Sequence, residues 1–418
     1  MKLTFLLWLW LGLTRIAPGL PGLLARRAHR RQGADPARLC ERFGTATRAR
    51  PEGRLIWIHA ASLGEVVSIS GLARLIMERS GAQILITTAT ATGAQAVAAR
   101  VPGALHQFLP VDAPGAVNRF LAHWRPDMVL FVEADLWPRL LLTLARQRVP
   151  VALINARPSK TRKRAPRSLA ALLRGVDLVT VQDAALMREF ADLGIDPARI
   201  HAPGNLKADI RPLAIDPDRC AGFRAAAAGR KIWAAASTHP GEDEIILDAH
   251  MVLYPEALLL LVPRHPERGD AIAAEIARRG LDFSRHSAGD MPGPETRVHL
   301  LDAMGELGTV YAASDLALIG GSLLPGPGGH TPYEPAALGC AMITGPYVGN
   351  FQTAYDALQA AGATRTVQDA DDLSGMLARL LADAETLARM RRAARAEQER
   401  HAGATERVFA LLAPLTGT

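Results

Sequence analysis

Two trains of short apolar runs constrain this chain more than any other feature. The first is Leu55–His59, Ile84–Thr88, Met128–Val132, Val151–Ile154 and Val176–Val181; the second is Ile232–Ala236, Leu258–Val262, Val298–Leu301 and Leu316–Ile319. Runs this short, apolar throughout and rich in Val, Ile and Leu, read as strands covered on both faces. Helical periods separate them, as in Val66–Met77, where Val66, Ile69, Leu72, Ala73 and Ile76 share one face. Strands alternating with helices form a parallel, doubly wound sheet. The alternation stops at Arg211–Pro217, which holds two prolines and no helical period, and then restarts. Two doubly wound domains are therefore expected, over residues 33–210 and 211–418, and a length of 418 residues suits two cores. Sheets of this kind bind ligands beyond the carboxyl ends of their strands. Polar residues gather there: Glu65 after the first run, Glu133 and Asp135 after the third, and Asn155 and Arg157 after the fourth.

Residues 1–32 stand apart. Leu3–Leu13 is apolar and aromatic, and Arg26, Arg27, Arg30 and Arg31 follow. The run is shorter than the roughly 20 residues a spanning helix needs. Extending it to Leu24 meets Arg15 and several Pro or Gly breaks. No small-residue cleavage site follows it. A span with its basic flank in the cytoplasm and a helix lying in the interface, anchored by Trp8 and Trp10, both satisfy the pattern. Either makes the segment membrane-associated. The formal charge of +7 implies attraction to polyanions. Arg157–Arg174 concentrates it, with Arg157, Lys160, Arg162, Lys163, Arg164, Arg167 and Arg174 and no acid. A solvated basic face is the default reading of such a run, and an anionic membrane surface or a phosphorylated glycan would give it a specific use. Nucleic acid is not expected, for no aromatic platform or nucleic-acid-binding motif accompanies the charge. The three cysteines are far apart and show no metal spacing, so neither structural zinc nor a disulfide framework is expected.

The second domain carries the densest loop. Leu316–Ile319 ends at Gly320-Gly321, and Pro325-Gly-Pro-Gly-Gly-His-Thr-Pro-Tyr-Glu334 follows. Pro332 suits a first helical position, with Glu334 in the first turn. A glycine-lined cleft facing a helix N-terminus favours an anion, and Glu334 suits a ribose diol. Ser237-Thr238 before Pro240 reads as another helix start, able to add phosphate contacts. Arg264 suits a bidentate phosphate or carboxylate contact. The fingerprints GxGxxG and GxxxxGK[ST] are missing, which sets dinucleotide and P-loop chemistry aside.

Eight segments then read together: Trp57-Ile-His-Ala-Ala-Ser-Leu-Gly-Glu65, Glu133-Ala-Asp135-Leu-Trp-Pro138, Ile154-Asn-Ala-Arg157, Gly204-Asn-Leu-Lys207, Ser237-Thr-His-Pro-Gly-Glu-Asp-Glu244, Pro263-Arg-His-Pro-Glu-Arg268, Met304-Gly-Glu-Leu307 and Gly328-Gly-His-Thr-Pro-Tyr-Glu334. In this order, over about residues 38–360, the chain closely resembles the 3-deoxy-D-manno-octulosonic acid (Kdo) transferases. The resemblance implies a GT-B glycosyltransferase: two Rossmann-like domains with a cleft between them, plus the N-terminal membrane segment. The first domain would take the acceptor and the second the donor. It implies transfer of Kdo from CMP-Kdo to a lipid A precursor, with inversion and without a bound metal or other cofactor, at the cytoplasmic face of the bacterial inner membrane.

By the same resemblance Glu65 is the general base and Lys207 the cation near the leaving phosphate. Glu133 or Asp135 carries a paired role, and the choice between them stays open. Pro263 and Arg264, Met304, Gly305, Glu306 and Leu307, and Thr331, Pro332, Tyr333 and Glu334 match the segments that contact CMP. Three positions depart from the family, which usually has Asn at Thr331, an aliphatic residue at Tyr333 and two Glu where Glu133 and Asp135 stand. The rival readings are a transferase or epimerase using a UDP-sugar, and a membrane-attached binding protein without catalysis. Glu65 with Met304–Leu307 weighs against the first. Glu65, Lys207, Arg264 and Glu334 together weigh against the second.

Overall fold

A computed structural model describes residues 4–17, 19–134, 136–157, 165–209, 213–253 and 256–416. Asp135, Lys160, Arg162, Lys163, Arg164 and Arg211 lie outside these residues. The chain forms two compact units, Met1–Asp209 with His401–Thr418, and Ile210–Arg400.

The first unit holds β1 (Leu55–His59), β2 (Gln83–Thr88), β3 (Leu105–Phe108), β4 (Met128–Val132), β5 (Val151–Ala156), β6 (Leu178–Val181) and β7 (Ile200–His201). They pair in parallel in the order β3-β2-β1-β4-β5-β6-β7. β1, β4 and β5 are buried along their whole length, because helices cover both faces of the sheet. One such helix is Leu63–Ser80, whose Val66, Ile69, Leu72, Ala73 and Ile76 are buried as its period predicts.

The helix Ala404–Thr416 packs on that same helix, with Ala404, Val408 and Leu412 entering the core around Ile69 and Leu72. Asp209 fixes its start by accepting from the Gly403 N–H (2.9 Å) and the Thr405 N–H (2.6 Å). This corrects the assignment of the whole tail to the second domain. An i, i+4 stripe of Ala, Val and Leu needs an apolar partner, and the first unit provides it.

At the N-terminus the helix Phe5–Ile16 lies on the first unit. Leu7 and Thr14 are buried, and Trp10 turns inward to donate from Nε1 to Asp112 Oδ2 (2.6 Å). Trp10 is thus no interface anchor. Phe5, Trp8 and Ile16 face outward, at 79%, 65% and 86% exposure. A second helix, Gly19–Arg31, follows. Among the described residues no helix is long and apolar enough to cross a membrane.

The second unit holds β8 (Lys231–Thr238), β9 (Ala257–Pro263), β10 (Phe283–Arg285), β11 (Val298–Leu300), β12 (Leu316–Ile319), β13 (Ala341–Thr344) and β14 (Thr364–Thr366). Their order is β10-β11-β9-β8-β12-β13-β14, parallel throughout. Its core is Leu, Ile and Ala from these strands packed under helices that include Glu242–Val252 and Ala370–Ala382.

Candidate active site

The first sheet reverses its winding between β1 and β4, with β2 and β3 on one side and β5 to β7 on the other. Such a reversal opens a crevice at the strand ends, where ligands bind. Glu65 and Glu133 follow the two strands that flank it.

Ser62 caps the helix Leu63–Ser80, and its Oγ accepts from the Glu65 N–H (3.4 Å). Glu65 answers through both carboxylate oxygens, accepting from the Ala61 N–H (2.8 Å) and from the Ser62 hydroxyl (3.1 Å). This reciprocal cap holds the carboxylate at the turn. Burial pushes its pKa up and the negative Glu133 adds to the rise, against the pull of the Ala61 N–H. A carboxylate held in this way is a better proton acceptor than an exposed one.

Glu133 is 2% exposed and has a φ of +58°, a left-handed backbone that a non-glycine seldom adopts. Asn155, at the end of β5, has a φ of +52°. Backbone of this kind gathers at functional sites. The Glu133 carboxylate lies between Lys207 Nζ (2.6 Å) and Arg157 Nε (2.5 Å). Lys207 is set in place through its backbone: Asn155 Oδ1 accepts from the Leu206 N–H (3.2 Å), and Asn205 Oδ1 from the Lys207 N–H (2.9 Å). Two cations on one carboxylate leave net positive charge, which suits an anionic substrate group. Of the expected pair, Glu133 makes these contacts. Arg157 was not among the expected site residues, although its place at a strand end was the signal for it.

The second sheet reverses between β8 and β12. Ser237, near the end of β8, has a φ of +60° and breaks the register of β8 with β9. Gly320 leaves β12 against it, and a Cβ on Gly320 would sit 2.7 Å from the Ser237 carbonyl oxygen. The following helix starts at Glu242 with Gly241 as its cap, so neither Ser237 nor Thr238 is an N-cap. Thr238 is fully buried and donates its hydroxyl to Asp243 Oδ1 (2.6 Å), and Asp243 also pairs with Arg268. Thr238 therefore props the turn from beneath, where it was expected to reach a phosphate.

The glycine-lined cleft does not hold its N–H groups open for an anion as expected. The buried Glu242 accepts from the N–H groups of His239 (2.9 Å), Gly321 (2.7 Å), Ser322 (2.9 Å) and Leu323 (2.8 Å). The N–H groups of this turn thus serve a carboxylate of the protein. The helix beyond it is short, Tyr333–Ala337, and Pro332 takes its cap position rather than its first turn. Thr331 Oγ1 accepts from the Tyr333 N–H (3.4 Å). Glu334, with burial as the larger cause, helps hold the Tyr311 phenol protonated.

Arg264 follows β9, whose last residue is the buried Pro263, and its guanidinium is exposed without an ion-pair partner among the described residues. Its charge, after burial and His239, lowers the pKa of His330, which falls to about 4. His239 is lowered by burial as well. The two imidazoles stack with centroids 5.1 Å apart and Nε2 atoms 2.9 Å apart, one donating and the other accepting. Sequence reasoning set these histidines aside, although each lies in a segment matching the family. Met304 is 71% exposed, Gly305 has a φ of +94°, and Glu306, pairing with Arg219, caps the helix that starts at Leu307. The expected donor residues thus end or follow β8, β9, β11 and β12, four adjacent strands. Among the described residues no three His, Cys, Asp or Glu side chains gather as metal ligands.

Residues 37–210 match the family described as "3-Deoxy-D-manno-octulosonic-acid transferase (kdotransferase)". The 3-deoxy-D-manno-octulosonic acid transferase of Bordetella pertussis is 36% identical over 424 residues, covering 97% of this chain and 95% of the relative. That of Haemophilus influenzae is 35% identical over 395 residues, covering 90% and 91%. Among solved structures, Acinetobacter baumannii MurG superposes with a TM-score of 0.57 over 87% of this chain and 100% of its own, at 17% identity, which is a likeness of fold. The two Rossmann-like sheets are those of the GT-B glycosyltransferases. By its sequence along nearly its whole length, the chain belongs to the 3-deoxy-D-manno-octulosonic acid (Kdo) transferases.

Proposed function

We propose that this Kdo transferase moves the sugar from CMP-Kdo to a hydroxyl of a lipid A precursor, with inversion at the anomeric carbon. The observation that carries this is Glu65 at the first sheet's reversal, capped in place, its proton affinity raised by burial and by Glu133. As the acceptor oxygen attacks the anomeric carbon, Glu65 takes its proton and the bond from that carbon to the phosphate oxygen breaks. Electrons leave with the phosphate, so CMP departs as an anion. Lys207 is the cation assigned to that charge, and Glu133 holds it ready. Arg264 binds the donor's phosphate or carboxylate. The reading needs no metal, since these side chains supply the positive charge, and transfer should persist in chelator.

The test is incubation with CMP-Kdo, generated in situ, and a bisphosphorylated tetraacyl disaccharide, with products read by mass and anomeric configuration by NMR. A product with inverted configuration supports the reading. Retention overturns the single displacement, and activity only with UDP-sugars overturns the donor. Arg264→Ala should raise the KM for CMP-Kdo about tenfold or more, as a lost charge-assisted contact does.

The same reading places the enzyme on the cytoplasmic face of the inner membrane. The outward residues of Phe5–Ile16 lie in the interface, and the arginines of Gly19–Arg31 meet anionic headgroups. Trp8→Ser with Leu9→Ser should weaken sedimentation with phosphatidylcholine–phosphatidylglycerol vesicles about tenfold or more, given roughly 1.5–3 kcal/mol per buried large side chain. Unchanged binding would remove this helix from the interface.

A further inference from the structure

The first unit carries a cavity of about 590 Å³, walled by Phe43, Val111 and Pro114 and by three arginines. Arg15 comes from the helix Phe5–Ile16, Arg119 from Pro114–Trp124 and Arg139 from Pro138–Gln147. No carboxylate pairs with any of the three among the described residues. Arg119 donates to the Phe43 carbonyl (2.7 Å), and Arg139 to the Leu11 carbonyl (2.6 Å) and Thr14 Oγ1 (2.8 Å). Arg139 Nε is buried and has no hydrogen-bond partner. Arg15 is exposed beside Ile16.

The acid beside Arg139 is Asp112. Its carboxylate is engaged by Trp10 Nε1 (2.6 Å) and by the N–H groups of Arg139 and Leu140 (both 3.0 Å), and burial raises its pKa. It offers the guanidinium groups no ion pair. Burial lowers the pKa of Arg139; the charge of Asp112 offsets part of this, and the charges of Arg146 and Arg15 add to the lowering. Like charges held together beside apolar walls are unfavourable until an anion joins them. The walls are built, not incidental. Gly44, at a φ of +82°, lets the turn after Phe43 press on the Ala116 carbonyl, where a Cβ would collide.

We infer that this cavity binds the phosphate monoester of an acylated lipid. The guanidinium forks take the phosphate oxygens, and Phe43, Val111 and Pro114 line the path of the chains. The lipid is the phosphorylated acceptor itself, an assignment that rests on the reading of the previous subsection. The cavity lies among the loops after β3 and β4, at the carboxyl end of the strands, as do Glu65 and Glu133.

The experiment compares wild type, Arg15→Gln, the Arg15→Gln/Arg119→Gln pair, and Arg188→Gln, an exposed arginine elsewhere on the unit. In neutral detergent without phospholipid, the double variant should raise the KM for the bisphosphorylated acceptor about tenfold or more while keeping the KM for CMP-Kdo. Arg15→Gln, which breaks no contact, should move in the same direction, and Arg188→Gln should not. A second arm measures sedimentation with vesicles of phosphatidylcholine doped with phosphatidic acid. A KM rise in detergent places the acceptor phosphate in the cavity. Loss confined to the vesicles leaves a phosphate-lipid site but overturns the acceptor assignment. Unchanged values in both arms overturn the site. If wild type transfers no Kdo, the transferase reading has failed, and the vesicle arm still decides the cavity.

Discussion

Glu65→Gln lowers the rate of Kdo transfer by about a thousandfold, within the range that a positioned general base contributes. Gln keeps the shape of the cap: its carbonyl oxygen can accept from the Ala61 N–H, and its amide can meet Ser62 Oγ, the partners of the native carboxylate. Stability and CMP-Kdo affinity are therefore retained, and the lost function is proton acceptance. A rate within about threefold of wild type would remove Glu65 as the base. The pH profile gives an independent reading. A base works only when deprotonated, so kcat/KM rises with pH through the pKa of Glu65. Burial first and Glu133 second lift that pKa above the ordinary carboxylate value, so the rise falls at a higher pH than for an exposed Glu. Glu133→Gln removes the second cause and leaves Lys207 and Arg157 unopposed, so the limb moves to lower pH. Stability has the opposite sense. The folded chain holds this proton more tightly than the unfolded chain does, so this contribution is present at low pH and is lost as pH rises through the folded pKa.

What the sequence made legible follows burial. The strands recognised from apolar runs are sheet interiors: β1, β2, β4, β5 and β6 in the first unit, and β8, β9, β11 and β12 in the second. Of the five strands without a recognised run, β3, β7, β10 and β14 are the four sheet edges, and the fifth, β13, is an interior strand of only four residues, Ala-Met-Ile-Thr. An edge is covered less and runs shorter, and sequences such as Leu-His-Gln-Phe and Thr-Arg-Thr carry no continuous apolar signal. The tail was misassigned for a related reason, since a stripe such as Ala404, Val408 and Leu412 shows that a helix must be covered but not by which unit.

At the site, residue types and strand ends singled out Glu65, Glu133 and Lys207. They did not show that Arg157 shares the Glu133 carboxylate, because that depends on two side chains meeting across neighbouring strands. The glycine-rich loop misled for another reason. Glycines tell of a tight turn, but the partner of its N–H groups lies nearly eighty positions earlier in the chain.

That partner sets the second large effect. Glu242→Ala destabilises the second unit by about 4 kcal/mol, because buried donors left unpaired cost about 1–3 kcal/mol each and repacking offsets part of the sum. Four backbone N–H groups, of His239, Gly321, Ser322 and Leu323, lose their acceptor at a place where Glu242 is 1% exposed. For a unit of this size that is a fall of roughly 10 °C in Tm. Glu242→Gln does not rescue it fully, since the amide turns N–H donors toward N–H donors. The same carboxylate ties the strand-end turn that carries His239 to the one leading to His330. Freeing these turns separates the stacked imidazoles beside Arg264, so donor binding weakens along with the fold. The measurement is thermal unfolding with and without CMP. Wild type shows one transition that CMP raises, and the variant shows that transition lowered and raised less by the same CMP concentration. A Tm within about 2 °C of wild type would mean that water replaces the carboxylate at little cost, and Glu242 would then hold neither the turn nor the donor site.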